Sequence, residues 1–315
     1  MKKTFLLGLG LICAVLLSVW LLTSADDLET ESRDSEKKIE LADTTARGYK
    51  DGRLLWSLQS KYIWSALNID HAVVENIYNG KLYDGDKIVL DNLSARKVQA
   101  NAPQERLFAD KGFRALLYRG NHEPVDIWGE QLTYSAANKK SLLNKKVQVS
   151  DRNTNISAEH AEIDHQTNHI SFGRDALLSR PDTVLTAESL LVDINNDTFW
   201  ARHNVQLIRQ GEISENKFRK QRTIITAAEL TADTSGEQAQ MTLSGKVLIK
   251  QADQQAAGDT AEYTEKDNRI YLRGNASIRQ NDGSWLRAAQ VIVDIAAEKF
   301  TATHAESTIY LDRPR

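Results

Sequence analysis

The chain is poor in the residues that fix a fold through covalent or coordination chemistry. A single cysteine, Cys13, excludes an internal disulfide and every zinc site that needs two thiolates. Four prolines in 315 residues exclude proline-rich linkers, so the connections must be turns of Gly, Asn and Asp. Neither charge sign is in excess: 40 Lys and Arg stand against 43 Asp and Glu, a net charge of -3. A surface that binds polyanions throughout, nucleic acid included, is thereby excluded. A Walker A loop, a G-x-S-x-G elbow and an H-E-x-x-H pair are all missing, so neither an enzyme nor a cofactor is expected. An apolar fraction of 41%, regularly spaced, excludes disorder throughout.

One long hydrophobic run is present. Residues 5–22 carry no charge and follow Lys2 and Lys3. At about 1.5 Å per residue they span roughly 27 Å, enough for a bilayer core. The lysines before the run, and Asp26, Asp27, Glu29 and Glu31 after it, favour an N-in, C-out span. The competing reading is a cleaved signal peptide, with Thr23, Ser24 and Ala25 at the cut; the length of the run favours a retained anchor. Ile12 before Cys13 does not suit a lipoprotein cleavage site. Residues 1–4 are then cytoplasmic, the polar residues 23–46 a linker, and residues 47–315 an exported domain.

That domain repeats. A small residue two positions after an apolar one recurs seven times, at Leu93/Ala95, Ile127/Gly129, Ile156/Ala158, Leu185/Ala187, Ile225/Ala227, Ala256/Gly258 and Leu286/Ala288. A second pair follows at positions three and five, for example Leu190/Val192, Leu230/Ala232 and Val291/Val293. Within a pair the period is two, as in a strand with one buried face. Between pairs the step is three, so a straight strand would turn its second half inside out. A bend at the slip, beside a small residue, restores the apolar face. Each segment is therefore expected to pass from one sheet to a facing sheet. A polar turn and a returning strand follow, in which Phe199, Ala201, His203, Val205 and Leu207 are expected to share one face. Seven such units give 14 rungs of a stack stabilised by neighbour contacts, with open strand edges at both ends.

The run Ala257-Gly258-Asp259-Thr260-Ala261-Glu262-Tyr263, followed by Ile270-Tyr271-Leu272-Arg273-Gly274-Asn275-Ala276, resembles the OstA-like repeats of the lipopolysaccharide transport bridge. To about residue 125 the chain resembles the inner-membrane-anchored LptC branch, in Asp51-Gly52-Arg53-Leu54-Leu55-Trp56-Ser57-Leu58 and Gly80-Lys81-Leu82-Tyr83-Asp84-Gly85; beyond that it is similar to LptA. The resemblance implies an all-β fold after the N-terminal helix, an elongated open β-jellyroll whose two facing antiparallel sheets fold like a taco around an apolar groove. It also implies a single-pass inner-membrane protein with its bulk in the periplasm. As partners it implies lipopolysaccharide or a related glycolipid, an Lpt ABC transporter at the N-terminal edge, and an LptA-like or outer-membrane LptD-like jellyroll at the C-terminal edge. This chain departs from LptC in carrying several more repeats than one jellyroll needs.

The inward alternation fits a packed sandwich core and an open trough alike; the resemblance implies the trough. Its candidate lining begins with Ile127, Tyr134, Ile156, Ile163, Phe172, Leu185 and Val192. It continues through Phe199, Ile225, Leu230, Leu243, Tyr263, Leu272, Leu286 and Val291. The middle position of four successive returning strands is Lys111, Lys145, Arg174 and His203, a basic ladder able to meet lipid phosphates, or a solvated corner tolerant of any polar residue. The alternative function is a membrane-tethered scaffold that binds proteins through its edges and carries no lipid. Other polar clusters have plain readings. His160 occupies an outward repeat position near His165 and His169. Asp193-x-Asn195-x-Asp197 lacks the later residues of a calcium loop and reads as a hairpin turn. The basic run from Lys217 to Arg222 reads as a solvated loop, with a lipid-headgroup contact as the lesser alternative.

Overall fold

In a computed structural model the described residues are 38–66, 72–119, 122–151, 153–211, 221–235, 239–252, 254–264, 266–297 and 299–309. The proposed membrane span lies outside them, and among them no helix is long and apolar enough to cross a membrane. They form strands β1 (Lys38–Lys50), β2 (Arg53–Ala66), β3 (Ala72–Asp84), β4 (Lys87–Asn101), β5 (Arg106–Arg119), β6 (His122–Gly129) and β7 (Gln131–Ser135). Next come β8 (Lys140–Asp151), β9 (Thr154–Asp164), β10 (His169–Ser179), β11 (Thr183–Asp193), β12 (Thr198–Arg209) and β13 (Thr223–Asp233). The last are β14 (Gln240–Gln251), β15 (Gln254–Thr264), β16 (Arg269–Gln280), β17 (Trp285–Asp294), β18 (Lys299–Thr303) and β19 (Glu306–Thr308).

Successive strands pair antiparallel, except that β6 does not pair with β7 nor β18 with β19, so the hydrogen bonds make one continuous meander rather than two separate sheets. Most pairings break register once near mid-strand, as between Gly173 and Ala176 or between Ser244 and Val247. At these breaks every strand bends, and the sheet folds over a crease into two facing leaves. β6 and β7 are the two halves of one crossing broken at Glu130, and β18 and β19 likewise halve the last crossing. Counted so, the seven units supply the expected 14 crossings, from β4 onward, with β1 to β3 ahead of them.

Leaf I carries the inward row Leu107, Tyr134, Ser141, Ile163, Ile170, Val192, Phe199, Ala232, Met241, Tyr263, Ile270 and Val293, each paired with the next. Leaf II carries the row from Leu82 and Leu90 through Ile156, Leu178, Leu185, Leu207, Ile225 and Ile249 to Ile278. Apart from Ser141 and Tyr263, both rows belong to one apolar cluster, so the leaves face each other.

The crease corrects one expectation. The middle residue of the returning strand does not share the inward face: Arg174 is exposed while Ile170, Phe172, Ala176 and Leu178 on either side of it are buried. The parity survives because two residues, not one, are inserted there. Lys111, Lys145, Arg174 and His203 have φ of 64, 62, 56 and 60°, and Gly245 and Gly274 have 80 and 69°. The residue after each is left-handed as well: Gly112, Lys146, Asp175, Asn204, Lys246 and Asn275. Gly, Asn and Asp enter this conformation most readily, and two of them in the first position are glycine because a Cβ would strike a neighbour. At Gly245 it would lie 2.5 Å from the Ala228 Cβ.

Candidate functional site

The space between the leaves differs along the stack. Next to the crease, Val147, Phe172, Ala201, Val205, Leu243, Val247, Leu272 and Val291 are buried throughout. The rows farther from the crease change character. Up to β10 they are sealed: Leu107, Tyr134, Ile163, Ile170, Leu82, Ile127 and Leu117 are at most 1% exposed. From the end of β11 onward Val192, Phe199, Leu207, Met241, Ile249, Ala256, Tyr263 and Ile270 are only half-buried. There the leaves part around a cleft of about 500 Å³, walled by β12 to β17.

The trough expected along the whole stack is thus closed over its first half. Among the expected lining residues, Phe199, Ile225, Leu243, Tyr263 and Leu272 line the cleft. Val192 and Leu286 are half-buried against the core, and Leu230 and Val291 lie fully beneath it. Ile127, Tyr134, Ile156, Ile163, Phe172 and Leu185 are core residues of the closed part or the crease. Met241, Ile249, Leu207 and Ile270 also line the cleft; their inward parity was legible, but their distance from the crease was not.

A clasp of polar contacts joins the rims of the closed part. Tyr134 Oη, on leaf I, donates to the Tyr83 carbonyl on leaf II at 2.6 Å. Lys139 Nζ lies 3.1 Å from Asp84, and Lys50 Nζ 2.5 Å from Glu105, again from rim to rim. His165 packs edge-on against the Tyr134 ring, with centroids 5.9 Å apart, and its Nε2 is 2.8 Å from Ser141 Oγ. Burial pushes the His165 imidazole down to about 4, against the opposing pull of Asp84 and Asp164. Burial, with Asp84 and Glu105 nearby, pushes the Tyr134 phenol well above its ordinary value, so it remains a donor.

The three histidines near residue 165 do not converge. His160 meets Asn144 at 2.7 Å on the outer surface, and His169 stacks on Trp200 with centroids 6.2 Å apart. No group of metal-ligating residues occurs among the described residues. Asp193 closes a hairpin turn by accepting the N–H groups of Asn195 and Asn196 at 2.9 and 3.1 Å.

Lys111, Lys145, Arg174 and His203 follow one another along the outside of the crease, facing away from the cleft. Acids interleave with them: Lys146 meets Glu130 at 2.8 Å, and Asn204 donates to Glu188. A hydrogen bond from the Lys111 backbone and one from Gln131 hold the Asp110 carboxyl below its usual range. An open hollow of about 560 Å³ sits on this outer side at Ala228 and Gly245. Its lining mixes Glu188, His203, Asn204 and Lys246 with the small apolar Val205, Ala227 and Ala228.

The cleft is a narrow apolar slot with a polar mouth.

Residues 155–299 match the model of a family described as LptA/(LptD N-terminal domain) LPS transport protein. No curated protein matches the chain. Among solved structures, LptH of Pseudomonas aeruginosa, the LptA-homologous periplasmic component of its lipopolysaccharide transport device, is similar at 15% identity. The alignment covers 50% of this chain and 95% of that one, with a TM-score of 0.22. Between residues 155 and 299, from the start of β9 to the start of β18, the chain thus carries an LptA/LptD-N-terminal-like domain.

Proposed function

We propose that the chain is a periplasmic carrier in lipopolysaccharide export that holds the acyl chains of the lipid in the cleft. The observation that supports this reading is a coincidence in sequence: every residue lining the cleft except Phe300 falls within residues 155–299, the stretch that matches a lipopolysaccharide-transport family. The physics is compatible. An acyl chain of about twelve carbons gains roughly 10 kcal/mol on leaving water. An elongated slot lets it slide, and the protein need supply no chemistry.

In this reading residues 5–22 hold the protein at the inner membrane, and the front of the chain plays the LptC-like part. The open edge of β1 meets the ABC transporter that supplies lipid and energy, and the β18–β19 end meets an LptA-like or LptD-like jellyroll. The clasp becomes a gate, because lipid arriving from the β1 edge reaches the cleft only when the leaves part at Tyr134. The sealed first half favours one other reading, a tethered scaffold that engages protein partners through its edges and leaves the lipid to others.

A photo-crosslinking residue placed in cells at Met241 in the cleft wall, at Thr242 on the outer face, and at Leu132 in the sealed part separates the two. Lipopolysaccharide adducts at Met241 and not at Thr242 are expected. No adduct at Met241, or equal adducts at both, would leave the scaffold. Adducts at Leu132 would mean that the gate opens during transport.

A further inference from the structure

Along the outside of the crease one contact recurs. The second left-handed residue of a returning strand reaches back to the acid that turns the crossing before it. Lys146 meets Glu130 at 2.8 Å, Asn204 Nδ2 donates to Glu188, and Asn275 Nδ2 donates to Asp259 at 2.9 Å. In each case the acid directly follows the small residue of its repeat: Gly129, Ala187 and Gly258. Two corners break the rule. Asp175 stands at the corner that follows Glu159 and, as a carboxylate, has nothing to donate. Lys246 has a charge to offer, but the place of its acid, after Ala227, is held by Ala228.

The outer hollow of about 560 Å³ lies at that gap. Small residues keep it open: Ala228 and Gly245 stand where the Lys146 corner has Glu130 and Lys145. Lys246 is exposed on its wall and makes no ion pair or side-chain hydrogen bond among the described residues. The acids nearest in the ladder already have donors, Glu188 in Asn204 and Asp259 in Asn275.

An ammonium beside an alanine floor complements one carboxylate on a short apolar stem, the group that other units of the repeat supply themselves. An open hollow does not enclose a small molecule, which needs most of its surface buried. A chain segment gains further contacts on the neighbouring crossings and needs no enclosure. A lipid phosphate is disfavoured, because Glu188 shares the hollow and the crease faces away from the cleft. We propose that the crease at β12 to β14 docks an acidic segment of a partner protein. One Asp or Glu of that segment takes the absent acid's place against Lys246, with Ala228 and Val205 beneath its stem. Gln206 and Thr226, also in the lining, offer hydrogen bonds to its backbone. Such a partner attaches to the side of the stack and leaves both strand edges and the cleft mouth free. The docking holds whether or not the cleft carries lipid.

The test uses the full-length chain in detergent and two fluorescein-labelled peptides, hexaglutamate and hexaglutamine, followed by anisotropy. The parent should prefer hexaglutamate. Lys246→Gln, and Ala228→Glu, which supplies the acid from within the chain, should each weaken that peptide by about fivefold. Lys146→Gln, on the same crease but already paired with Glu130, should leave it unchanged. In Ala228→Glu a zero-length carbodiimide should join the new carboxylate to Lys246, as mass spectrometry of the digest would show. Absence of that link overturns the geometry. Equal affinity of the parent for both peptides, or equal loss in Lys146→Gln and Lys246→Gln, overturns the docking site. Free glutamate that displaces the peptide at comparable concentration would assign the hollow to a small carboxylate and overturn the protein partner.

Discussion

Mild acid should loosen the sealed half of the sheet through His165. In an unfolded chain the imidazole titrates near about 6.5; in the fold, burial brings it down to about 4. The unfolded state therefore takes up the proton first. Stability is complete above the unfolded value, declines as the pH falls toward 4, and levels off below it. Integrated from about pH 7 to about pH 5, the loss comes to about 2 kcal/mol. The residue sits where that matters, against the Tyr134 ring and within hydrogen-bond distance of Ser141 Oγ. Urea titrations followed by tryptophan fluorescence, on the parent and on His165→Gln at both pH values, measure it. Glutamine is uncharged throughout and keeps a polar partner for Ser141. The parent's midpoint should fall by more than the variant's, the difference being the histidine contribution. An identical pH response in the two proteins would refute the buried-imidazole argument.

Tyr134→Phe removes one rim-to-rim hydrogen bond and leaves the Tyr83 carbonyl without that donor; the expected cost is about 1 to 2 kcal/mol in the same urea titration, together with faster amide exchange at the rims of β3 and β7. At the crease, Gly245→Val sets a branched side chain at φ +80° against the Ala228 Cβ and should cost about 1 to 3 kcal/mol by thermal melting. Arg174→Gly, at φ 56°, should be neutral or stabilising by about 0.5 kcal/mol, and lipid crosslinking at Met241 should not change; a loss of crosslinking would return a headgroup role to the crease. In the cleft, Leu243→Asp buries a carboxylate and should destabilise by about 3 kcal/mol or more, whereas Met241→Asp, half-exposed, should melt near the parent and lose the lipid adduct placed at Phe199.

The sequence by itself determined the repeat, the strands and which residues face inward. A side chain's face in a strand is set by local parity, and the step of three between pairs such as Leu185/Ala187 and Leu190/Val192 records a bend in the chain's own spacing. It also determined that the turns after Asp164 and Asp193 close on their own carboxylates, because those contacts span only two or three residues. The double left-handed corner leaves no mark in that spacing, since two inserted residues keep the parity of Phe172 and Ala176 intact. Only the tertiary structure decided which inward residues are sealed and which line a space. Ile170 and Ile270 hold equivalent places in their repeats, yet one is buried and the other half-open. The difference is the distance between the leaves. Contacts from rim to rim, such as Tyr134 to Tyr83, 51 residues apart, close that distance, and no local spacing records it.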